Sequence, residues 1–254
     1  MIAVMLAVAV VFAPAAWLSP VLRSASKGSA SFDAAWGTIW SGSAMIKVQR
    51  SSKEVFILPE PIAWTFDVPA LLSGAIRLNL SSASFDHKTI LVQIQQPWRK
   101  NTLLTVGAGQ FTLPVGTLSS LGAPFNTLRL TGNAAVRWGA ISQPIDSSTL
   151  NAPLTLTLQG MRSAITPNIA LGDYAVQIQP TGNQAQGSRS AIQLATTSPT
   201  AALQLSGSGY WSQNTAPQFE LHAKPANTTD AAKLGALLNF LGRRQGDEWV
   251  LRLQ

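Results

Sequence analysis

Cysteine is absent from this chain of 254 residues, and charged side chains are scarce. Because there is no thiol, disulfides, thiolate metal sites and thiol redox catalysis are excluded, and a packed core must supply the stability. Asp, Glu, Lys and Arg make up only 11% of the residues, where about 25% is typical. The polar residues are instead Ser, Thr, Gln, Asn and Gly, which suits an exported or membrane-adjacent β protein better than a cytosolic enzyme.

Groups that carry catalysis or bind metals are also sparse. The two histidines, His87 and His222, lie far apart, and neither belongs to a His-x-x-x-His or His-x-Glu spacing. Metal sites need clusters of ligands, so we expect no metal, no other cofactor and no catalytic residue. One enzyme class is left open, because a glycoside hydrolase needs only two carboxylates. Glu54, Glu60 and Asp67 lie near one another in the sequence, and any two of them could form such a pair.

The formal net charge of +7 raises the question of whether the chain binds nucleic acid. Proteins that bind nucleic acid cluster Lys and Arg, often among stacking aromatic residues. Here the basic residues are scattered, and Arg243 and Arg244 are the only adjacent arginines. We therefore expect no nucleic-acid partner, and attribute the excess charge to attraction toward an anionic membrane surface or an acidic protein face.

The first 22 residues are apolar or small except Ser19, and the first charged side chain is Arg23. An apolar run of this length can cross a hydrocarbon core of roughly 30 Å as a helix. Trp17 would then lie near the membrane interface, where indole rings are favoured. We predict a transmembrane anchor over residues 1–22, a linker over 23–31 and a periplasmic β-rich domain over 32–254.

Two features of this segment leave alternatives open. Ala13-Pro14-Ala15 is a weak match to a signal-peptide cleavage site, which would remove the anchor. Basic residues favour the cytoplasmic side of a span, yet Arg23 and Lys27 follow it. Read literally, this charge pattern places the body in the cytoplasm. If residues precede Met1, we predict that they are basic, as a periplasmic body would favour.

Beyond the linker, apolar and polar residues alternate with a period of two. The clearest runs cover residues 90–95, 154–158, 174–179, 202–205 and 218–222. Such alternation puts apolar side chains on one face of a sheet and polar ones on the other, as in antiparallel sheets. Because Gly, Pro, Asn and Ser separate the runs, we expect a mainly β fold. Its large, mostly antiparallel, curved sheet would be a meander, an open barrel or a sandwich.

One short helix is predicted near the carboxyl terminus. Thr228 or Thr229 is placed to cap it, and Gly242 follows its end. Its apolar stripe consists of Leu234, Leu237, Leu238 and Leu241. A closing strand is expected over residues 248–253.

The most informative motif of the body is the run Trp36, Gly37, Thr38, Ile39, Trp40, Ser41 and Gly42. Its two glycines bracket a short strand, its two tryptophans provide large apolar anchors, and its Ser-Gly pair bends the chain into the next strand. We interpret residues 36–42 as the first hairpin, which ties the body down close to the membrane. This hairpin is our candidate structural or interaction motif.

The order of these features resembles the type II secretion system protein N family (GspN). The resemblance is sharpest at Gly-Thr-Ile-Trp-Ser-Gly (37–42), Leu-Leu-Asn-Phe-Leu-Gly-Arg (237–243) and Trp-Val-Leu-Arg-Leu (249–253). It implies an accessory, single-pass inner-membrane protein of Gram-negative bacteria with a periplasmic body, which is not an enzyme. Such a protein takes part in the export of folded proteins across the outer membrane by contacting other secretion subunits. The missing basic residue before the span departs from the family pattern.

Two other functions are weighed against this one. A strongly curved sheet with one apolar face can hold lipid or another apolar ligand, so an envelope carrier is the alternative. A continuous groove left uncovered by the lone helix would favour the carrier, and a fully packed interior would remove it. An envelope hydrolase is third, and it requires titratable groups that converge in one pocket.

Overall fold

The computed structural model describes residues 1–49, 55–97, 102–121, 125–145, 147, 151–181, 189–212 and 215–253. The chain divides into two compact units, Met1–Gly109 with Ser142–Ile145, and Gln110–Ile141 with Asp146–Gln254. Two sheets are formed, of eight and nine strands. Every described register is antiparallel, so the prediction of a mainly β, antiparallel fold is confirmed.

The expectation of one large sheet is wrong, since the described strands form two. A period of two identifies a strand and its apolar face, but it does not specify the strand's partner. Pairing is decided by contacts between distant segments, and Ile141–Pro144 illustrates this by joining the first sheet after a long excursion of the chain.

The first sheet has the strand order β1-β2-β4-β5-β6-β7-β10, with β3 paired to β2. Its strands are β1 (Ala30–Gly37), β2 (Ser41–Gln49), β3 (Val55–Ile57), β4 (Ile62–Phe66), β5 (Ala75–Ser81), β6 (Ile90–Gln95), β7 (Leu103–Val106) and β10 (Ile141–Pro144). The short helix α3 (Val68–Leu72) precedes β5. Strand β6 coincides with the first of the predicted runs.

The register gives the first sheet one apolar and one polar face. Trp64 pairs with Leu80, and Leu80 with Ile90, so these three side chains lie on the same face. The neighbouring positions carry Ser43, Ala63 and Ser81 on the opposite face. The apolar face packs a small core, and the polar face meets water.

The amino-terminal segment, residues 1–25, does not form the continuous helix that the sequence predicted. It contains α1 (Ile2–Val11), a single 3-10 turn (Ala15–Trp17) and α2 (Leu18–Ala25). Pro14 explains the break, because proline has no N–H to donate and disfavours helical backbone at Ala13. Among the described residues, no helix is both long and apolar enough to span a membrane. Residues 23–31, the expected linker, contain the end of α2 and the start of β1.

The second sheet has the order β16-β17-β15-β14-β13-β12-β11-β9-β8. Its strands are β8 (Gly109–Pro114), β9 (Leu130–Trp138), β11 (Leu154–Ser163), β12 (Ala170–Thr181), β13 (Arg189–Thr196), β14 (Leu203–Ser212), β15 (Thr215–Pro225), β16 (Arg243–Gln245) and β17 (Glu248–Leu253). A 3-10 segment (Val115–Leu121) and α4 (Phe125–Leu128) connect β8 to β9. The predicted closing strand corresponds to β17.

Helix α5 (Thr228–Leu241) covers one end of the apolar face of the second sheet. Leu234, Leu237 and Leu238 of the predicted stripe are fully buried in its core. The side chain of Leu241, the fourth residue of the stripe, lies outside the described residues. The cap differs from the prediction by one residue: the Asn227 side-chain oxygen accepts a hydrogen bond from the Asp230 backbone N–H at 2.8 Å. Asparagine caps helices as well as threonine does, so residue type alone did not separate these neighbours.

Tyr174 joins two strands inside this core. Its hydroxyl lies 2.9 Å from the carbonyl oxygen of Leu171 and 2.9 Å from that of Leu203, and it shares one proton between them. Burial, aided by the adjacent Asp173 carboxylate, raises the pKa of Tyr174 far above its ordinary value of 10.0. The Tyr174 hydroxyl group therefore keeps its proton at pH values at which an exposed tyrosine would release it.

Replacing Tyr174 with Phe should lower the free energy of unfolding by about 1–3 kcal/mol, because two carbonyl groups lose their donor. The difference between wild type and variant should shrink as the pH rises above 10.0, the ordinary pKa of tyrosine. Since the folded-state pKa is the higher one, the folded chain retains a proton that the unfolded chain releases, and stability falls with pH. Urea unfolding on either side of this pH measures both effects, and a difference that grows with pH would contradict the assignment.

Candidate interaction site at the first hairpin

The first hairpin, residues 36–42, joins β1 to β2 by a tight turn. Gly37 pairs with Gly42 at the ends of the two strands. Inside the turn, the Thr38 backbone N–H donates to the Ser41 carbonyl oxygen at 2.9 Å, and the Ser41 N–H donates to the Thr38 hydroxyl oxygen at 3.2 Å. These bonds hold the turn without any contribution from charge.

Both glycines are required by the close approach of backbone atoms. A Cβ at position 42 would lie 2.6 Å from the Trp36 carbonyl oxygen and 2.8 Å from that of Thr38. At position 37 the backbone has a φ of +84°, and a Cβ would lie 2.6 Å from the Ser41 carbonyl oxygen. Only glycine fits positions of this kind without displacement of the chain. The two glycines therefore define the shape of the hairpin.

The hairpin receives the amino-terminal segment. The Trp40 indole N–H donates to the Val10 carbonyl oxygen at 2.8 Å, and the Ile39 backbone N–H donates to the Ala13 carbonyl oxygen at 2.9 Å. Pro14 forms an isolated antiparallel bridge with Thr38. Carbonyl groups at and just after the end of α1 thus hold this segment to the hairpin.

Small side chains let the segment pack directly on the sheet. Ala15 is 1% exposed and packs with Ala44 and Trp64. The Phe32 ring stacks on Trp64 with a centroid distance of 5.6 Å, and the Trp64 indole N–H donates to the Ile39 carbonyl oxygen at 3.1 Å. This aromatic cluster connects the hairpin to the core of the first unit.

Helix α2 covers part of the outer edge of β1, which is the terminal strand of its sheet. The Ser19 hydroxyl oxygen accepts from the Phe32 N–H at 3.3 Å, and the Ser26 hydroxyl oxygen accepts from the Ala30 N–H at 2.9 Å. Ser26 also donates to the Ala30 carbonyl oxygen at 3.1 Å. These two serines occupy backbone groups that an added strand would use, so this stretch of the edge is closed.

The two tryptophans of the motif have different environments. Trp40 meets Phe66 edge to face, with ring centroids 6.2 Å apart. Trp36 is not an anchor of the same kind, because its side chain is 54% exposed on the polar face of the first sheet. The hairpin therefore has a structural side toward the amino-terminal segment and an open side toward solvent.

Several residues of this site were missed in the sequence. Val10, Ala13, Ala15 and Ser19 were assigned to a membrane span, yet they contact the first sheet. Two signals point to them in retrospect: Pro14 interrupts the apolar run, and Ser19 is the one polar residue within it. Neither feature predicts that the amino-terminal segment contacts the hairpin, because this contact joins residues that are distant in the sequence.

Two of the candidate catalytic groups, Asp67 and His222, make contacts within the chain, whereas Glu60 and His87 are exposed. Asp67 caps α3 by accepting from the Ala70 N–H at 3.3 Å, and it lies 3.7 Å from the Arg77 guanidinium. His222 lies 3.1 Å from Glu248 and 3.4 Å from Glu220, each on a different ring nitrogen. Glu54 lies outside the described residues. Within the described part of the chain, no three His, Asp or Glu residues are grouped to hold a metal ion.

Fold and site together define a mainly antiparallel β protein whose apolar amino-terminal segment is built into its first sheet. The chain belongs to the family of type II secretion system (T2SS), protein N, whose profile matches residues 31–251. The match begins in β1 and ends in β17, and it confirms the family inferred from the sequence motifs. No curated protein and no solved structure matches the chain significantly. The chain is therefore a component of the type II secretion system, a machinery of the cell envelope.

Replacing Gly42 with Ala should destabilise the first unit by about 1–3 kcal/mol, the usual cost of forcing extra atoms into filled space. Gly107→Ala is the matched control, since a Cβ there would meet Leu91 at an ordinary 3.5 Å. Urea unfolding followed by tryptophan fluorescence, with limited proteolysis of the amino-terminal segment, reports both variants. Equal behaviour of the two variants would contradict the close approach described for the hairpin.

Proposed function

We propose that this chain is an accessory inner-membrane component of the type II secretion system with its β-rich body in the periplasm. In this role it supports the export of folded periplasmic proteins across the outer membrane through contacts with other secretion subunits, without catalysing a reaction. The family membership carries the proposal.

Attachment to the inner membrane is assigned to the amino-terminal segment. Several large apolar side chains of this segment face outward, and the described ones that are more than half exposed are Met1, Met5, Val8, Val11, Phe12, Trp17 and Val21. Exposed apolar surface of this extent marks a membrane or protein contact. Arg23 and Lys27 follow directly and are exposed, where they can meet anionic lipid headgroups.

The first hairpin makes this attachment stiff. Since hydrogen bonds from Trp40 and Ile39 hold the end of α1, the first unit cannot swing freely from its membrane contact. Asp33 lies where the register of β1 shifts, on the same edge but beyond the groups covered by Ser19 and Ser26. We assign the contact with other secretion subunits to this bulge and the adjoining hairpin turn, because sheet edges accept added strands.

A second candidate function has one observation in its favour. The apolar face of the second sheet continues beyond α5, and its side chains there are only half-buried, as for Leu156, Val176, Leu194 and Leu221. A carrier of lipid or another apolar ligand would use such a face. Native mass spectrometry of the chain extracted from membranes separates the two functions, because a carrier retains its lipid.

Deleting the gene should reduce the export of folded periplasmic proteins, measured as the secreted fraction in the culture medium. A photocrosslinking residue at Asp33 should capture a secretion subunit. The same residue at Thr200, an exposed position in the second unit, should not capture one. Unchanged secretion, together with no subunit captured from Asp33, would remove the proposal.

The double substitution Met5→Asp and Val8→Asp should shift most of the chain from the membrane fraction to the soluble fraction. Burying a charged side chain in the hydrocarbon region costs about 2.5–3.5 kcal/mol each by insertion scales. The matched control is Val68→Asp with Leu72→Asp, which changes two other exposed apolar residues of the same unit. Carbonate extraction followed by immunoblotting measures the distribution. If both pairs behave alike, attachment does not depend on α1.

A further inference from the structure

The polar face of the first sheet carries a cleft of about 350 Å³ beside the first hairpin. It lies within the size range of small-molecule sites, roughly 300–1,000 Å³. Strands β1, β2, β4 and β5 form its floor, and Thr89 closes one side just before β6. Its lining consists of Trp36, Gly37, Ser41, Gly42, Ser43, Ala63, Trp64, Thr65, Asn79, Ser81 and Thr89.

Hydroxyl and amide groups in this cleft are free to bond a ligand. Within the described part of the chain, six lining side chains make no hydrogen bond to the protein: Ser41, Ser43, Thr65, Asn79, Ser81 and Thr89. The strand register sets Ser43 beside Ala63 and Ser81, and Ser41 beside Thr65 and Asn79, in two parallel rows. The cleft therefore offers two ordered rows of small polar groups.

An exposed indole stands at one end of these rows. Trp36 pairs with Ser43 across the hairpin, and its side chain is 54% exposed. Gly37 and Gly42, at the base of the hairpin, also line the cleft next to it. A flat aromatic face beside hydroxyl groups matches a ligand with one apolar C–H face and polar edges.

None of the described residues that line the cleft is charged, although the chain carries a net charge of +7. Phosphate groups and nucleic acids are bound by Lys and Arg, so this lining does not suit them. A binding site for a protein partner would be expected to have an apolar centre surrounded by a polar rim with charged groups. The charge pattern instead fits a neutral ligand rich in hydroxyl groups.

We propose that this cleft binds a neutral oligosaccharide, with one sugar ring stacked on Trp36. The hydroxyl groups of the sugar bond to the side chains of the two rows, and Asn79 both donates and accepts. This inference is independent of the secretion role, because sugar binding is a property of the purified chain. A glycan with acetamido groups and a plain glucan share the required chemistry.

The test is saturation-transfer NMR with the purified full chain in a detergent that lacks a sugar headgroup. N,N′,N″,N‴-Tetraacetylchitotetraose provides the acetamido-bearing probe, and maltotetraose the plain one. At least one should bind with a dissociation constant on the order of 1 mM or tighter. Trp36→Ala should weaken that binding about tenfold or more, whereas Trp211→Ala, which removes an exposed tryptophan of the second unit, should leave it unchanged.

A second variant keeps the test decisive if Trp36→Ala perturbs the hairpin. Asn79→Ala removes a side chain without protein partners among the described residues, so it should keep the fold and weaken binding severalfold. Absence of binding by both oligosaccharides, or binding unaffected by both variants, would overturn the proposal. So would a loss of crosslinked secretion subunits on Trp36→Ala without sugar binding, which would make the cleft a protein contact. Normal secretion after gene deletion bears only on the secretion role.

Discussion

The structure of the first unit depends on which groups donate hydrogen bonds to the backbone carbonyl oxygens at the end of α1. A helix leaves its last carbonyl groups without partners, and here Pro14 prevents the chain from continuing the helix. The Val10 and Ala13 carbonyl oxygens accept instead from Trp40 and Ile39 of the first hairpin. The hairpin thus supplies donors at the point where the apolar segment leaves its helix. Gly37 and Gly42 give the hairpin its shape, and the Trp40 indole N–H is one of the donors that it supplies.

Low charge imposes a second constraint, because sheet edges are usually protected by charged side chains or proline. With 11% charged residues, this chain uses hydroxyl groups at β1: Ser19 and Ser26 occupy outward-facing groups of Phe32 and Ala30. The same preference for small polar residues covers the polar face of the first sheet. The low content of charged residues is thus reflected both in the hydroxyl groups at the edge of β1 and in the small polar residues on the polar face of the first sheet.

Local patterns were predictable from the sequence, and long-range partners were not. The alternating runs at 90–95 and 154–158 coincide with strands because a period of two reports burial on one face. Helix α5 follows from its leucine stripe, although Asn227 caps it rather than Thr228 or Thr229. By contrast, the division into two sheets and the docking of residues 10–19 on the hairpin depend on contacts that no local pattern encodes. The residue types of the motif at 36–42 predicted a hairpin, but the exposure of the Trp36 side chain on the polar face follows only from the strand register.

The short connection between α2 and β1 has a mechanical consequence. Helix α2 ends at Ala25 and β1 begins at Ala30, and the turn between them uses left-handed backbone at Lys27 and Gly28. Ser26 bonds to both backbone groups of Ala30 across this turn. The segment is therefore fastened at its middle by the hairpin and at its end by the turn, which leaves no flexible tether between them. These contacts give the first sheet a fixed orientation relative to the amino-terminal segment.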